Sequence, residues 1–484
     1  MSVTGDDSAP TIRVSADTPD RTVVLEAAEA AAEGTVSVLS VGPTGSPSSL
    51  GLCTIDGTTA FHATPTPEEA FDLVTALAAG DVSTDAADAV VEHDPEIKTL
   101  PVPDSGPLSV GTRQILGPCG WIAPTETPRP TADEHEPDTI RSRVTAAGLL
   151  GRGRADGARD ASVSDLWERA RNASGDPVVV VHAADTDAPA DELLCQGAAG
   201  HVLDAASIVA DAVGAPDVVA LASDGASEPL DAVESEVTIR TAPASFRVGE
   251  PTMALEALEG SDRIEARRRP PGPEKWGLYG RPTIVHTPRT LLQIRALLAD
   301  DTASVSDTRL FTVRGAVSTP AAVELSSNCP LSDALDAVET DGDRYVIGGR
   351  FGGVTETLDV PASAPALEAA DLGTEGVIEV LAPDDCVVAT VGERAAFARE
   401  ENCGRCVPCR EGSKQLHGAL REIYDGDFDA DGLRTLARVM RTTSLCAFGA
   451  AAARPIRTAL DAFEPEFRAH AEGRCPTGSC EGFR

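Results

Sequence analysis

Three closely spaced cysteines constrain this chain more than any other feature. They stand as Cys403-Gly-Arg-Cys406-Val-Pro-Cys409, a C-x2-C-x2-C run, and Cys446 follows in Thr442-Thr-Ser-Leu-Cys-Ala-Phe-Gly449. Thiolates at this spacing can wrap one face of an iron–sulfur cubane, and one remote thiolate completes a [4Fe–4S] site. The competing arrangement is a four-cysteine zinc knot, but zinc sites usually pair one C-x2-C with another or with two histidines. Whatever forms here must bring residues 403–409 and Cys446 to one pole. The apolar pattern supplies a way. Leu416, Ala419, Leu420, Ile423 and Tyr424 share one helical face, as do Leu433, Leu436, Ala437 and Met440, and again Ile456, Ala459, Leu460, Phe463 and Phe467. With a helix over Thr390 to Glu401 these predict an antiparallel four-helix bundle over 376–469. A helix pair between Cys409 and Cys446 returns to the end from which it started.

A second cysteine-rich group follows the bundle. His470-Ala-Glu-Gly-Arg-Cys475-Pro-Thr-Gly-Ser-Cys480 is H-x4-C-x4-C, and Cys386 stands at the start of the bundle. One imidazole and three thiolates predict a closed structural zinc site, with 470–484 as a Cys-rich tail. The alternative is a pair of loose tail cysteines and a surface histidine. The remaining four of the eleven cysteines, Cys53, Cys119, Cys195 and Cys329, are scattered and read as ordinary core residues.

Upstream, the pattern is multidomain α/β, as a length of 484 residues requires. Residues 1–10 read as a disordered tail. Residues 11–110 alternate strand-like and helix-like blocks, with strands expected at Thr22–Leu25 and Val36–Val41 and a helix from Glu68 to Ala79 burying Phe71, Val74, Leu77 and Ala78. Residues 111–138 read as a linker, Pro- and Glu-rich from 122 onward. Residues 139–305 predict a mostly parallel sheet, with strands at Val178–Val181 and Val218–Ala222 and a helix over Ala205–Val213. Residues 306–375 read as a small β-rich domain ending in Gly-rich turns. Acidic residues number 77 against 40 basic, which excludes general nucleic-acid binding. Only Lys98, Lys275 and Lys414 are lysines. This acidic, Lys-poor composition reads as adaptation to high salt. No secretory signal or apolar run of membrane-span length is visible, so the expected location is the cytoplasm, attached to other subunits with no direct membrane span.

The stretch Glu401-Asn-Cys-Gly-Arg-Cys-Val-Pro-Cys-Arg-Glu-Gly412, followed by Ser444-Leu-Cys-Ala-Phe-Gly449, resembles the NADH- and FMN-binding subunit of respiratory complex I. The same module occurs in NAD-linked hydrogenases and formate dehydrogenases. Gly277-Leu-Tyr-Gly-Arg-Pro-Thr-Ile-Val-His-Thr-Pro-Arg-Thr-Leu291 resembles the family's G-L-x-G-K-P-T-V-V-N-N-V-E-T-L. The resemblance implies a thioredoxin-like domain over 11–110, a Rossmann-like flavoprotein domain over 139–305, a β-grasp domain over 306–375 and an iron–sulfur bundle. With Cys53 as the only cysteine in 11–110, a [2Fe–2S] cluster is not expected there.

Against that family the flavin and nicotinamide motifs are eroded. The family's phosphate loop, G-R-G-G-A-G-F-P-T-G-x-K-W, is represented by Gly151-Arg152-Gly153, after which Arg154 replaces the next glycine, the Phe-Pro-Thr-Gly core is lost, Asp156 would put negative charge near a phosphate and Leu166 stands where the lysine is expected. Gly151-Arg-Gly153 reads equally as a phosphate loop and as an ordinary strand-to-helix turn. The N-A-D-E-G-E-P-G motif keeps only Asp185 and Pro189. The R-G-E-Y motif near the nicotinamide has no clear counterpart around Ser223–Ala226. The Asn-Asn pair becomes His286-Thr287, and the following Glu becomes Arg289. Gly151, Arg152, Gly153 and Asp185 are thus a remnant FMN site, and the expectation is a chain that binds FMN and NADH poorly or not at all. The implied function is an iron–sulfur electron-transfer subunit working with other redox subunits through one [4Fe–4S] cluster. Arg410 and Lys414 would raise the cluster's potential, or else simply lie on the helix surface. Two alternatives stay open: a complete NADH-oxidising FMN subunit with divergent site residues, and a scaffold in which the cluster only staples the bundle.

Overall fold

The computed structural model describes residues 9–18, 20–127, 136–156, 161–299 and 308–480. The expected tail thus falls almost wholly outside the described residues, as do 128–135 of the expected linker and Gly157 of the Gly151–Trp167 stretch. The N-terminal unit runs β1 (Thr11–Ser15), α1 (Arg21–Ala32), β2 (Ser37–Val41), β3 (Leu50–Ile55), β4 (Thr58–Ala63), α2 (Pro67–Ala78), β5 (Ala89–Glu92), with sheet order β2-β1-β3-β4-β5. The strand expected at Thr22–Leu25 is the first turn of α1 instead. Its β-branched residues are outweighed by the Ala/Glu run that follows, and Val24, Ala28 and Ala32 fall on one buried stripe. In α2, Thr66 and Glu69 form a capping box, and the buried face is Ala70, Leu73, Val74 and Leu77. Phe71, expected inside, is 45 % exposed.

The second unit contains α3 (Pro137–Ala147), α4 (Val163–Arg171), β6 (Val178–Ala183), α5 (Pro189–Val213), β7 (Asp217–Ala222), α6 (Asp224–Asp231), β8 (Thr238–Thr241), α7 (Pro251–Leu258), β9 (Thr283–His286) and α8 (Pro288–Ala299). Its four strands are all parallel, in the order β8-β7-β6-β9. The all-valine opening of β6 is buried on both faces, as a central parallel strand requires. The helix expected at Ala205–Val213 is the second half of α5, which continues across a kink at Ala198. Among the described residues α5 is the one helix long and apolar enough to cross a membrane, and 83 % of its most apolar window is buried inside the fold. Gln196, His201 and Asp204 interrupt its apolar residues, which is why no span-like run stands out in the sequence.

The third unit holds β10 (Thr308–Gly315), β11 (Ala321–Ser326), β12 (Arg344–Ile347), β13 (Gly353–Thr355), α9 (Ala364–Ala369) and β14 (Val377–Leu381), ordered β11-β10-β14-β12-β13. Because β14 pairs with both β10 and β12, this sheet claims residues up to 381, and the boundary expected at 375 is corrected. The bundle follows as α10 (Val387–Glu401), α11 (Val407–Glu422), α12 (Ala430–Thr443), the short α13 (Ala447–Ala451) and α14 (Arg454–Ala471). α10 and α12 each pack on both α11 and α14, closing a four-helix ring. Phe467 is fully buried and stacks on Phe428 at 5.9 Å.

The stretch 111–123 is not a loose linker. Ile115, Leu116, Cys119 and Trp121 are buried, and Thr112 N donates to the Glu324 carbonyl at 2.7 Å. The fully buried Glu324 carboxylate accepts from Ile115 N (3.0 Å) and Thr308 Oγ1 (2.7 Å), so one side chain ties this stretch to β10 and β11. The chain docks here because backbone N–H groups of 115–116 need an acceptor once they leave water. Cys53, Cys119 and Cys195 are core residues as expected, whereas Cys329 is only half-buried.

His201 on α5 is buried, and its desolvation, reinforced by Arg295, lowers its pKa from an ordinary 6.5 to about 3. The folded chain therefore holds it neutral while the unfolded chain protonates it below about 6.5. Its stabilising contribution is complete above that value and is lost as pH falls toward 3. Urea titrations of wild type and His201→Leu between pH 7 and 5 should show a steeper acid loss for wild type. The difference should be at most about 1.4 kcal/mol per pH unit. Parallel pH profiles would remove this assignment.

Candidate metal centres and an occupied phosphate seat

Cys403, Cys406, Cys409 and Cys446 converge, as the spacing requires. Asn402 ends α10 by donating from Nδ2 to the Arg399 carbonyl (2.8 Å), while its Oδ1 accepts from Gly404 N (3.0 Å). Gly404, at φ +78°, then turns the chain so that Cys406 caps α11 and Cys409 lies in its first turn. Cys446 occupies the N-cap of α13. A Cβ on Gly449 would press on Ser444 and Cys409, so glycine is required where these two segments meet. The four cysteines line one small, largely closed pocket walled by Met253, Ala266 and Phe448. Burial pushes the Cys409 thiol up, and the three neighbouring thiols add to it. Burial also pushes Cys446 up to about 12. Four converging thiols, with Cys409 and Cys446 the most opposed to ionisation by burial, fit a cationic centre bonded to all of them. The irons and sulfides of a cubane would occupy the space between the cysteines.

Single-ion spacing is found at Cys386, His470, Cys475 and Cys480, whose ligand atoms all lie within 4.8 Å of one another. A tetrahedral ion with metal–sulfur bonds of about 2.3 Å sets its ligands about 3.8 Å apart. His470 Nε2 is 3.2 Å from Cys386 Sγ and 3.5 Å from Cys480 Sγ. Its Nδ1 donates to the Glu466 carbonyl at 2.7 Å, leaving the Nε2 lone pair facing the thiols. Burial opposes ionisation of Cys475, but hydrogen bonds from Thr477 and from Cys480 outweigh it and bring the thiol down to about 5. The donor set fits zinc, and it joins the start of α10 to the chain beyond α14.

The remnant FMN residues are scattered in role. Arg152 is buried and donates to the carbonyls of Leu150 (2.5 Å) and Thr308 (3.4 Å), away from the cleft. Gly151 lies against Asp156, and Gly153, at φ +85°, lies against the Arg289 guanidinium. Asp185 is bound by Arg154, whose Nε donates to it at 2.8 Å. Burial would raise the Asp185 carboxyl, but Arg154 outweighs it and holds the group at about 2. The Arg154 guanidinium also stacks 3.7 Å over the Phe246 ring. Arg154, Phe246 and Glu250, which accepts from Arg269 at 2.7 Å, carry no motif signal in the sequence.

The substituted positions satisfy one another. Trp167 Nε1 donates to His286 Nε2 at 3.0 Å, so His286 Nδ1 carries the proton and donates it to Asp156. The other Asp156 oxygen accepts from Thr287 N (3.1 Å) and Thr290 Oγ1 (2.8 Å), at the N-terminus of α8. Arg289, 3 % exposed, forms a forked pair with Asp191 at 2.9 and 2.8 Å. A helix N-terminus is a natural seat for a phosphate. Here a carboxylate of the chain sits on it, and a second anion would meet that charge in a buried setting. The described residues of this seat do not fit an FMN phosphate. Arg410 and Lys414 are both paired to Glu411, at 2.8 and 3.3 Å, on the exposed side of α11.

Residues 389–470 match the NADH-ubiquinone oxidoreductase-F iron-sulfur binding region. The chain is 29 % identical over 274 residues to the HndC subunit of the NADP-reducing hydrogenase of Solidesulfovibrio fructosivorans, covering 51 % of this chain and 54 % of that one. It is 30 % identical over 249 residues to the F subunit of Aquifex aeolicus NADH-quinone oxidoreductase, covering 48 % and 58 %. With the F 2 subunit of the Rhizobium meliloti NADH-quinone oxidoreductase the match is 28 % over 397 residues, 72 % of this chain and 92 % of that one. The first two matches thus span little more than half of the relatives. A crystal structure of NAD+-reducing [NiFe]-hydrogenase in the H2-reduced state shares the fold, with a TM-score of 0.64 at 23 % identity, over 95 % of this chain and 84 % of that one.

Asp156→Ala should destabilise the second unit by about 2–5 kcal/mol, because it strands two donors and a helix N-terminus in the core. Chemical denaturation measures this, and a loss below about 0.5 kcal/mol would show that the network is slack.

Proposed function

We propose that this chain is an electron-transfer subunit of an NADH dehydrogenase-like oxidoreductase, acting through one [4Fe–4S] cluster without a flavin of its own. The reading rests on one combination: a complete four-cysteine site at one pole of the bundle, and a phosphate seat filled by Asp156. The cluster, held by Cys403, Cys406, Cys409 and Cys446, would supply one-electron storage and transfer. Three of these cysteines are only partly buried. Beside them Val407 is 59 % exposed, an apolar contact point for a redox partner. The sheet orders support thioredoxin-like, Rossmann-like and β-grasp assignments for the first three units. The tail site is assigned to structural zinc. The working location is the cytoplasm, within a larger assembly.

One anaerobic preparation tests the reading. Iron and sulfide near four each per chain, little extractable flavin and a reversibly reducible cluster are expected. Stoichiometric FMN with cluster reduction by NADH would establish the complete enzyme, and a cluster that accepts no electron would leave a scaffold. Cys386→Ser and His470→Gln should each lose zinc, keep iron and expose the chain beyond 471 to protease. Loss of iron with zinc retained would reverse the two metal assignments.

A further inference from the structure

The chain carries 37 more acidic than basic residues, yet four of the six residues lining one hollow on the bundle are arginines. Arg434, Arg438 and Arg441 lie on one face of α12 at i, i+4 and i+7, and Arg457 faces them from α14. Asp461 is the one acidic residue among its lining groups. Two of the arginines are committed: Arg434 pairs with Glu464 at 2.8 Å, and Arg457 forms a forked pair with Asp371. Arg438 and Arg441 are exposed, and neither has an ion-pair or hydrogen-bond partner among the described residues. A helix C-terminus favours one cation, which accounts for Arg441 but not for Arg438 beside it. Like charges three and four residues apart on a helix repel, so this row is costly without an anion.

The hollow measures about 570 Å3, the size of a small-molecule site. It shares Arg441 and Arg457 with a second cleft, which is lined by Ser444 and Cys446 and, on its other wall, by Gly153, Arg154 and Phe246. The Ser444 hydroxyl is buried there with no hydrogen-bond partner.

We propose that this hollow binds a small phosphate-bearing polyanion, held chiefly by Arg438 and Arg441, and that occupancy is sensed at the adjoining cluster. Guanidinium forks match phosphate oxygens in pairs, which lysine cannot do. The negative field of the whole chain repels anions elsewhere, so the hollow is a local exception. An added anion near Cys446 disfavours the electron-rich state of the cluster.

Calorimetry on the cluster-loaded full chain at low ionic strength, with inorganic pyrophosphate as the probe, tests this. Binding is expected, and Arg438→Gln/Arg441→Gln should weaken it at least about tenfold, through loss of two charge-assisted contacts. Glutamine keeps helix propensity, so circular dichroism and iron content should be unchanged. In wild type, pyrophosphate should lower the cluster's midpoint potential, and in the double variant it should not. No binding, or binding and a potential shift that survive the double substitution, would overturn the proposal. So would a tetraglutamate peptide that binds where pyrophosphate does not, since the hollow would then be a docking face for an acidic protein.

Discussion

Four thiols must meet in one small pocket, and the bundle exists in a form that gathers them there. Each helix junction at that pole has a cause in this requirement. Asn402 stops α10, Gly404 reverses the chain, Cys406 opens α11, and the α11–α12 pair carries the chain back so that Cys446 arrives beside Cys409. The metal centre and the helix order are one design problem, because metal affinity is available as folding energy only if the ligands converge. The tail repeats the principle at smaller scale, with four donors at single-ion spacing joining the two ends of the bundle.

In the second unit the same economy of charge runs the other way. Asp156, Arg154 and Arg289 are each foreign to the resembled family's motifs, yet none is left without a counter-group. A buried charge stranded alone is strongly destabilising, so such substitutions persist in matched sets. The glycines retained in Gly151-Arg-Gly153 now serve this packing: a side chain at either would collide with Asp156 or Arg289. What reads in sequence as the residue of a phosphate loop is in three dimensions the floor of a closed polar core.

The two converging cysteine groups were legible because spacing brings their side chains together. C-x2-C-x2-C and H-x4-C-x4-C are local patterns, and only the remote Cys386 and Cys446 needed the helix count. The bundle helices were legible from period alone. The start of α1 was not, because Thr22, Val23 and Val24 favour extended backbone locally and the deciding burial stripe lies downstream. The docking of 111–123 was invisible because its partner, Glu324, is about two hundred residues away. Arg154 over Phe246 had no signal for the same reason: a cation on a ring is a tertiary contact between sequence neighbourhoods that show no pattern.

Glu324 has a mechanical consequence. Its carboxylate and backbone fasten residues 112–116 to the third unit, and Gly45 of the N-terminal unit accepts from Ala322 N on the same strand at 2.8 Å. The N-terminal unit is therefore bolted on and is no swinging arm. A protein that lands on it is held at one separation from the iron–sulfur pole. Electron exchange between the two would then be governed by fixed tunnelling distance, with no diffusive search by a tethered domain.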